Sequence, residues 1–442
     1  MNESLFIEFV KAIMPKLSLY VSERENGTKV PRTYLHKTML RPVYSVDQKW
    51  EGTSANTSYV AADMVAMDSE LPIKKRSSIA TSNGKLPKVG MKKIMKESDL
   101  NAVMLMRTQL QSLTGDAAKQ AKLRILDKII DDEYACSVGI DEKNEANFLS
   151  GLSNGIVLIE GDPDSDSTTG LGLRVNYGYF KSNCFGVEKK GTVSREDIQR
   201  VIDKADLDGN TITTIMLSSS TYNKIRKTRW AAELVADDNG QTYTEQTTLA
   251  VPSTAKFDSA FETEFGIKFV RVNRSVVFEV NGKRKNIKPW NDDKIIFLTS
   301  EEVGSLVWGT LVEATRPVAN VEYTTVDQYK LISRYSKTDP LQEFTAGQAL
   351  ILPVIENVDS IYSIDITDAI EVDEQAEETD VTDETTTIKG TAYTKSGIIG
   401  VLKSLGVKIR VDASDETIIN SINSLSDEDE EKFFELAAQY EA

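Results

Sequence analysis

Histidine, cysteine and long apolar runs are all scarce in this chain, and each scarcity removes a class of function. The single histidine, His36, lies in PRTYLHKTML with no nucleophile motif beside it. A Ser-His or Cys-His nucleophile pair would have to use it, so a surface or locally hydrogen-bonded imidazole is expected instead. The two cysteines, Cys136 and Cys184, form no C-x-x-C, and no H-E-x-x-H occurs, which leaves zinc unsupported. Two buried free thiols in a reducing cytoplasm are expected in place of a disulfide, so folding inside a cell is expected too. Apolar stretches of a few residues cannot span a bilayer. The N-terminal MNESLFIEFVKAIMPKLSLYV carries Glu3, Glu8 and Pro15 where a secretion signal needs a basic start and an unbroken apolar core.

Phosphate-cradling and dinucleotide motifs are missing as well. There is no G-x-x-x-x-G-K-[ST], and Gly170, Gly172 and Gly178 are wrongly spaced for a dinucleotide turn. Asp162, Asp164 and Asp166 alternate as in a calcium loop, but Ser167 occupies the sixth position and Leu173 the twelfth, where glycine and glutamate are required. No catalytic, cofactor-binding or metal-binding residue can be named, and a binding or structural protein is expected rather than an enzyme.

What the chain does have is ordinary globular composition, with 40% hydrophobic and 27% charged residues over 442 positions. Its charge is unevenly placed. From Asp339 to Ala442 there are 24 acidic residues against 6 basic ones, so the acid excess lies in the C-terminal quarter and the preceding body is near neutral. Residues 71–96, LPIKKRSSIATSNGKLPKVGMKKIMK, carry Lys74, Lys75, Arg76, Lys85, Lys88, Lys92, Lys93 and Lys96 with no acid between Glu70 and Glu97. Asn83-Gly84 is a hairpin-turn dipeptide, so a long basic β-hairpin or loop is expected here. No aromatic residue interleaves these charges, which argues against base stacking.

Helical spacing follows. Residues 98–113 and 117–138 read as two helices with a break at Gly115, the second carrying Leu123, Leu126, Ile129, Ile130 and Tyr134 on one face. A short helix is expected over residues 2–20 and an extended arm over 21–60. Ser194 with Asp197 makes a capping box. Strands are expected at 212–217, 267–272, 276–280 (closed by Asn281-Gly282), 294–298, 320–335 and 348–355. The mixture is α+β. After Tyr362 comes a last strand, then the linker EVDEQAEETDVTDETTT, then three helical patterns at 395–405, 415–424 and 427–440.

Between Val277 and Thr367 stand Asn281, Gly282, Asp293, Gly304, Trp308, Gly309, Asp339, Pro340, Gln348, Leu352 and Pro353. In these residues the chain resembles the phage lambda-like major capsid (head) protein family. This resemblance implies a Hong Kong 97-like capsid fold, in which an extended loop reaches a neighbouring subunit and a spine helix packs on a sheet. The expected parts are an N-terminal arm (1–58) and an extended β-hairpin loop (59–97), followed by the spine helix with the first part of the peripheral domain (98–189). An axial domain (190–315) and the closing peripheral strands (316–367) complete the fold. An acidic linker (368–392) and a small helical C-terminal domain (393–442) are additions to the family pattern.

The function so implied is a major capsid protein. It would self-assemble into the icosahedral head shell around the double-stranded DNA of a tailed bacteriophage, with assembly in the host cytoplasm. Lys74, Lys75, Arg76, Lys85, Lys88, Lys92 and Lys93 are the expected inter-subunit contacts of the extended loop. Gly282, Asp293, Gly304, Gly309, Asp339, Pro340, Gln348 and Pro353 are expected to be structural. The implied partners are further copies of the chain in hexamers and pentamers, scaffold, portal and decoration proteins, and packaged DNA touched without sequence preference; no membrane and no cofactor are implied. The acidic tail is expected outside the shell or removed before packaging. Alternatives are a tail-tube or head-tail adaptor protein, or an intracellular enzyme with an unrecognised carboxylate site.

Overall fold

The computed structural model describes residues 3–7, 33–54, 80–159, 173–244, 246–280 and 283–369. In the C-terminal segment it describes 385–388, 391–405, 407, 415–423, 425, 432–434 and 436–437. The expected helix over 2–20, the acidic loop 160–172 and the cations Lys74, Lys75 and Arg76 lie largely or wholly outside these residues. The chain divides into two compact units, Met1–Ile370 and Glu371–Ala442.

The first unit is α+β, as expected, and contains two main sheets. The larger is built on Leu341–Ile355, a fifteen-residue strand that is buried through most of its length. Lys330–Thr338, Lys88–Lys96 and Gly304–Gly309 all pair with it antiparallel, and Leu40–Tyr44 joins Gly304–Gly309 in parallel. Glu322–Val326 pairs with Lys330–Thr338 to complete six strands. Strand burial alternates only where one face meets solvent. Leu352, Val354 and Ile355 are all buried because helix covers one face and chain covers the other.

A forty-residue helix, Gly115–Asn154, lies against this sheet. Its start matches the expected break at Gly115, and the preceding helix is Glu97–Gln111. The sequence reading stopped it at residue 138, sixteen residues early. The segment GIDEKNEANFLSGLSN holds glycine, serine and asparagine, poor helix formers in isolation. Burial of Phe148, Leu149 and Leu152 keeps it helical. Its glycines mark close approaches. A Cβ on Gly151 would sit 2.7 Å from the Tyr177 ring, and one on Gly347 of the sheet would sit 2.8 Å from Cys136 of the helix. Gly155, in left-handed conformation, ends the helix.

The second sheet has five strands in the order Cys184–Val187, Ile361–Ala369, Lys294–Leu298, Thr214–Ser218 and Lys268–Val272. Helices Arg195–Leu207, Ser219–Arg226, Arg229–Asp238 and Thr254–Phe265 cover one face. The KIIFL strand is buried on both faces: Ile295 and Phe297 face those helices, while Ile296 and Leu298 join the core beneath the long helix. The expected Ser194–Asp197 capping box is present.

Three boundaries move. Asn83-Gly84 does not turn a hairpin; it lies inside the strand Ala80–Lys85, which pairs with Lys49–Ser54 as a separate two-stranded ribbon. Of the expected loop 59–97, Lys88–Lys96 is a strand of the large sheet, and Ala80–Lys85 pairs with a strand that precedes residue 59. Gly304–Gly309, placed with the axial residues 190–315, belongs to the six-stranded sheet. Ile361–Ala369, placed with the closing strands, belongs to the five-stranded one. Strand pairing between segments distant in the sequence decides this, and no local pattern records it.

The second unit is not purely helical. A hairpin, Thr385–Ile388 with Thr391–Thr394, precedes helices Lys395–Ser404 and Asp415–Asn423. Ile388, Tyr393, Ile398, Leu402, Ile418, Ile422 and Phe433 form its core. Residues 385–388, taken as linker, are therefore part of this unit.

Candidate assembly surfaces

The basic residues of the arm separate into distinct environments. Lys85 ends the ribbon, opposite Lys49. Lys88–Lys96 is an edge strand of the large sheet, so Lys88, Lys92 and Lys93 are not in a free loop. Alternation sends neighbours to opposite faces. Lys92 is exposed, with its ammonium 5.3 Å from the Phe344 ring centre, and Phe344 stacks on Tyr335. Lys93 lies on the helix side, where its charge pulls the half-buried Asp132 and the buried Cys136 toward ionisation. Burial outweighs that pull and pushes the Cys136 thiol up to about 12. Both cysteines are free. Cys136 is buried as expected, whereas Cys184 is exposed.

The motif residues serve the backbone. A Cβ on Gly304 would fall 2.1 Å from the Val354 carbonyl oxygen, so a side chain there would force two strands apart. Gly309 has Leu86 in contact. The Asp339-Pro340 peptide is cis and lies between paired strands. Asp293 accepts the Ile366 amide on its carbonyl, and its own amide donates to Asn291. The Gln348 amide donates to Glu313 at 2.8 Å, and the Pro353 carbonyl accepts the Tyr177 hydroxyl at 2.6 Å. Gly282 lies outside the described residues.

The feature missed from sequence is a buried polar ladder between the long helix and the large sheet. Glu133, Ser137, Asp141 and Glu145 recur every fourth residue and so share one helix face. On the strand, Lys330 and Arg334 share one face. Eight helical residues rise about 12 Å and four strand residues about 13 Å, so the two rows come into step. Arg334 is fully buried; its Nε donates to Glu343 and its Nη1 to Glu133, both at 2.9 Å. Lys330, also fully buried, donates to Asp141 at 2.6 Å and Asp327 at 2.7 Å. Lys37 bridges the same two acids at 2.9 and 3.2 Å.

His36 closes the row. It is buried, not superficial: its Nδ1 lies 2.7 Å from Glu145 Oε2. Glu145 also accepts the backbone amides of Leu35 and His36, both at 3.0 Å, and so caps the short helix Leu35–Met39 from outside it. Glu343 further accepts the Ser4 hydroxyl and the Leu5 amide, which ties residues 3–7 to the sheet.

Charge states follow from these contacts. Burial raises the Glu133 pKa, and the Arg334 charge offsets only part of that. Burial also opposes ionisation of Glu145, but the three donors from His36 and Leu35 outweigh it and hold Glu145 below the usual carboxylate value. Asp327 is likewise held low by Lys330 and Lys37 against the cost of burial. Among the described residues no cluster of three or more His, Cys, Asp or Glu could hold a metal ion. No helix among them is long and apolar enough to cross a membrane.

No family model and no curated protein matches the chain. Solved structures do. A crystal structure of a prophage capsid protein (E. coli CFT073) is 12% identical, with a TM-score of 0.46, and covers 79% of this chain and 98% of its own. The Cyanophage A-1(L) capsid subunit is 11% identical, with a TM-score of 0.43, over 77% of this chain and 95% of its own. The bacteriophage PhiM1 mature capsid is 8% identical, with a TM-score of 0.39, over 76% and 88%. What the chain is similar to, over 76–79% of its length in these three, is the backbone of phage capsid proteins.

Proposed function

We propose that this chain is a structural shell protein, the major capsid protein of a tailed phage, with residues 49–85 clasping a neighbouring copy. The observation that carries the reading is the two-stranded ribbon. Among the described residues, Lys49–Ser54 and Ala80–Lys85 pair with each other and with no strand of either sheet, while the next strand, Lys88–Lys96, enters the large sheet directly. Trp50 and Leu86, buried in the core of the large sheet, fix the base of this ribbon to the body. The sequence resemblance supports the same reading, because its parts occur in the same order: arm, long helix on a sheet, second sheet with helices, closing strand.

The mechanism is assembly without bond-making chemistry. Cations on the arm, Lys74, Lys75, Arg76 and Lys85, together with Lys88 and Lys92 on the edge strand that follows, meet acidic or polar surface on the next copy. Such complementarity sets register more than affinity. Lys93, turned toward Asp132 of its own chain, is the weakest contributor. Many modest contacts repeated by symmetry then close a stable shell of hexamers and pentamers. A near-neutral body suits weak, sequence-independent contact with packaged DNA, and scaffold, portal and decoration proteins are the further partners. The acidic Glu371–Ala442 unit would repel DNA, so it belongs outside the shell or is removed before packaging; electron microscopy of particles lacking residues 388–442 separates these.

The test is negative-stain imaging of the purified full chain. Closed shells are expected. Tubes, small rings or monomers in every condition would overturn the reading. Replacing Lys74, Lys75 and Arg76 together by Glu is expected to leave thermal unfolding unchanged and to prevent shell closure.

A further inference from the structure

Another two-stranded ribbon stands apart from both sheets. Val276–Val280 pairs antiparallel with Lys283–Ile287, and among the described residues neither strand joins a further one. Val276 at one foot of the ribbon and Trp290 just beyond the other are buried and fix its base. Past that base every residue of Lys283–Ile287 is exposed. Packing therefore does not dictate the sequence of this outer strand, KRKNI.

Its charge is one-sided. The only acid in the two strands, Glu279, pairs across from Arg284, whereas Lys283 and Lys285 pair across from Val280 and Phe278. Directly opposed residues share a face, and so do residues two apart along a strand. Lys283, Lys285 and Phe278 therefore share a face, and Lys143 of the long helix brings its ammonium 5.1 Å from the Phe278 ring centre. Among the described residues no carboxylate pairs with Lys283, Arg284 or Lys285, while the next cation, Lys288, lies 3.7 Å from Asp292. Lysine on a free strand edge also guards against pairing with another chain. Edge protection does not call for a further cation from the long helix.

We propose that this ribbon is a binding surface for the phosphate backbone of duplex DNA. Lys283, Arg284 and Lys285 meet the phosphates, and Lys143 adds charge from the helix beneath. A two-stranded ribbon fits a major groove about 12 Å wide. The one aromatic in the ribbon, Phe278, is half-buried beside Lys143 and offers no open ring on which unpaired bases stack, which favours duplex over single strands. Phosphate contacts carry no base information, so binding is independent of sequence. The inference deepens the DNA contact proposed above by naming its surface, and to that extent rests on the shell reading.

The probe is a fluorescent duplex of mixed sequence, two helical turns long, titrated into the full chain and followed by anisotropy. It is used with the native chain and with the chain carrying Glu at 74, 75 and 76, so that shell closure cannot hide the ribbon. The variant Lys283→Gln, Arg284→Gln, Lys285→Gln is expected to bind at least about tenfold more weakly at about 50 mM salt, and its log–log salt slope to be shallower by about 2 to 3. Removing the same charge from the exposed Lys122, Arg124 and Lys128, more than about 20 Å from Lys143 along the long helix, is expected to change binding less than about twofold. Equal losses in both variants, or none in the ribbon variant, overturn the proposal. So does a poly-glutamate chain that competes as well as unlabelled duplex, which would make the partner an acidic protein surface. Negative-stain images of the ribbon variant keep the two readings apart. Shells with unchanged DNA affinity sink the ribbon alone, whereas lost affinity in a chain that never forms shells sinks the shell reading and leaves the ribbon standing.

Discussion

The two sheets of the first unit are joined to their helices by opposite physics. Beneath the five-stranded sheet the core is aromatic. Phe257 stacks on Phe269 at 5.7 Å, Phe261 meets Phe269 at 4.4 Å, and Tyr222 and Trp230 close on Phe257. Between the six-stranded sheet and the long helix, a ladder of buried charges runs from Arg334 to His36. Apolar packing is non-directional and tolerates a slide; a buried ion pair does not. The comparison teaches that the small sheet is held to its helices mainly by area, while the long helix is also held in a particular register on the large sheet.

The largest effects should come from breaking one member of each region. Arg334→Met leaves Glu133 and Glu343 buried without their cation and should cost about 3–5 kcal/mol in urea unfolding. Phe257→Ala should cost a similar amount, about 3–5 kcal/mol, through the cavity it leaves. The comparison sharpens on rescue. Adding Glu133→Leu and Glu343→Leu to Arg334→Met should recover part of the loss, because an apolar triad replaces the ionic one, while the Ser4 hydroxyl and Leu5 amide lose their acceptor. No partner change of that kind exists for Phe257. If the triple variant stays as unstable as the single, the ladder is contributing more than register.

A smaller effect is pH-dependent. The folded pKa of Glu145 is below its ordinary 4.5, so its contribution is complete above about pH 4.5 and is lost as pH falls through the lower folded value. Glu133 has the opposite sign: its folded pKa is raised, so acidification relieves it. Denaturant titrations below pH 5 should show Glu145→Gln flattening the decline and Glu133→Gln steepening it. The aromatic region should show no such dependence. Next, Ser194→Ala, which removes the capping-box hydroxyl, should cost about 1 kcal/mol. Smallest of all, Lys92→Ala on the exposed face of the edge strand should change subunit stability by less than about 0.5 kcal/mol. A larger loss would mean that its contact with Phe344 holds the sheet.

Local signals were legible where chemistry between near neighbours settles the conformation. Ser194 capping its helix, Gly115 breaking the first helix from the second, and the KIIFL strand all follow from a few adjacent residues. Asn83-Gly84 misled because its turn preference is weak beside six cross-strand pairs with Lys49–Ser54. The helix end at Asn154 was illegible because residues 139–154 are polar and glycine-containing, and the partners that bury them come from distant strands. The polar spacing Glu133, Ser137, Asp141, Glu145 was visible in principle. It reads as a solvated face until Lys330 and Arg334 arrive from two hundred residues away.

By itself, then, the amino-acid order determined the α+β mixture, the scarcity of groups for familiar catalysis, the cationic arm and the separate acidic end, since these depend on composition and short-range spacing. The tertiary structure alone decided which strands share a sheet and that His36 and the ladder cations are buried. Those outcomes depend on which distant surfaces exclude water from one another, and water exclusion is a property of the packed chain.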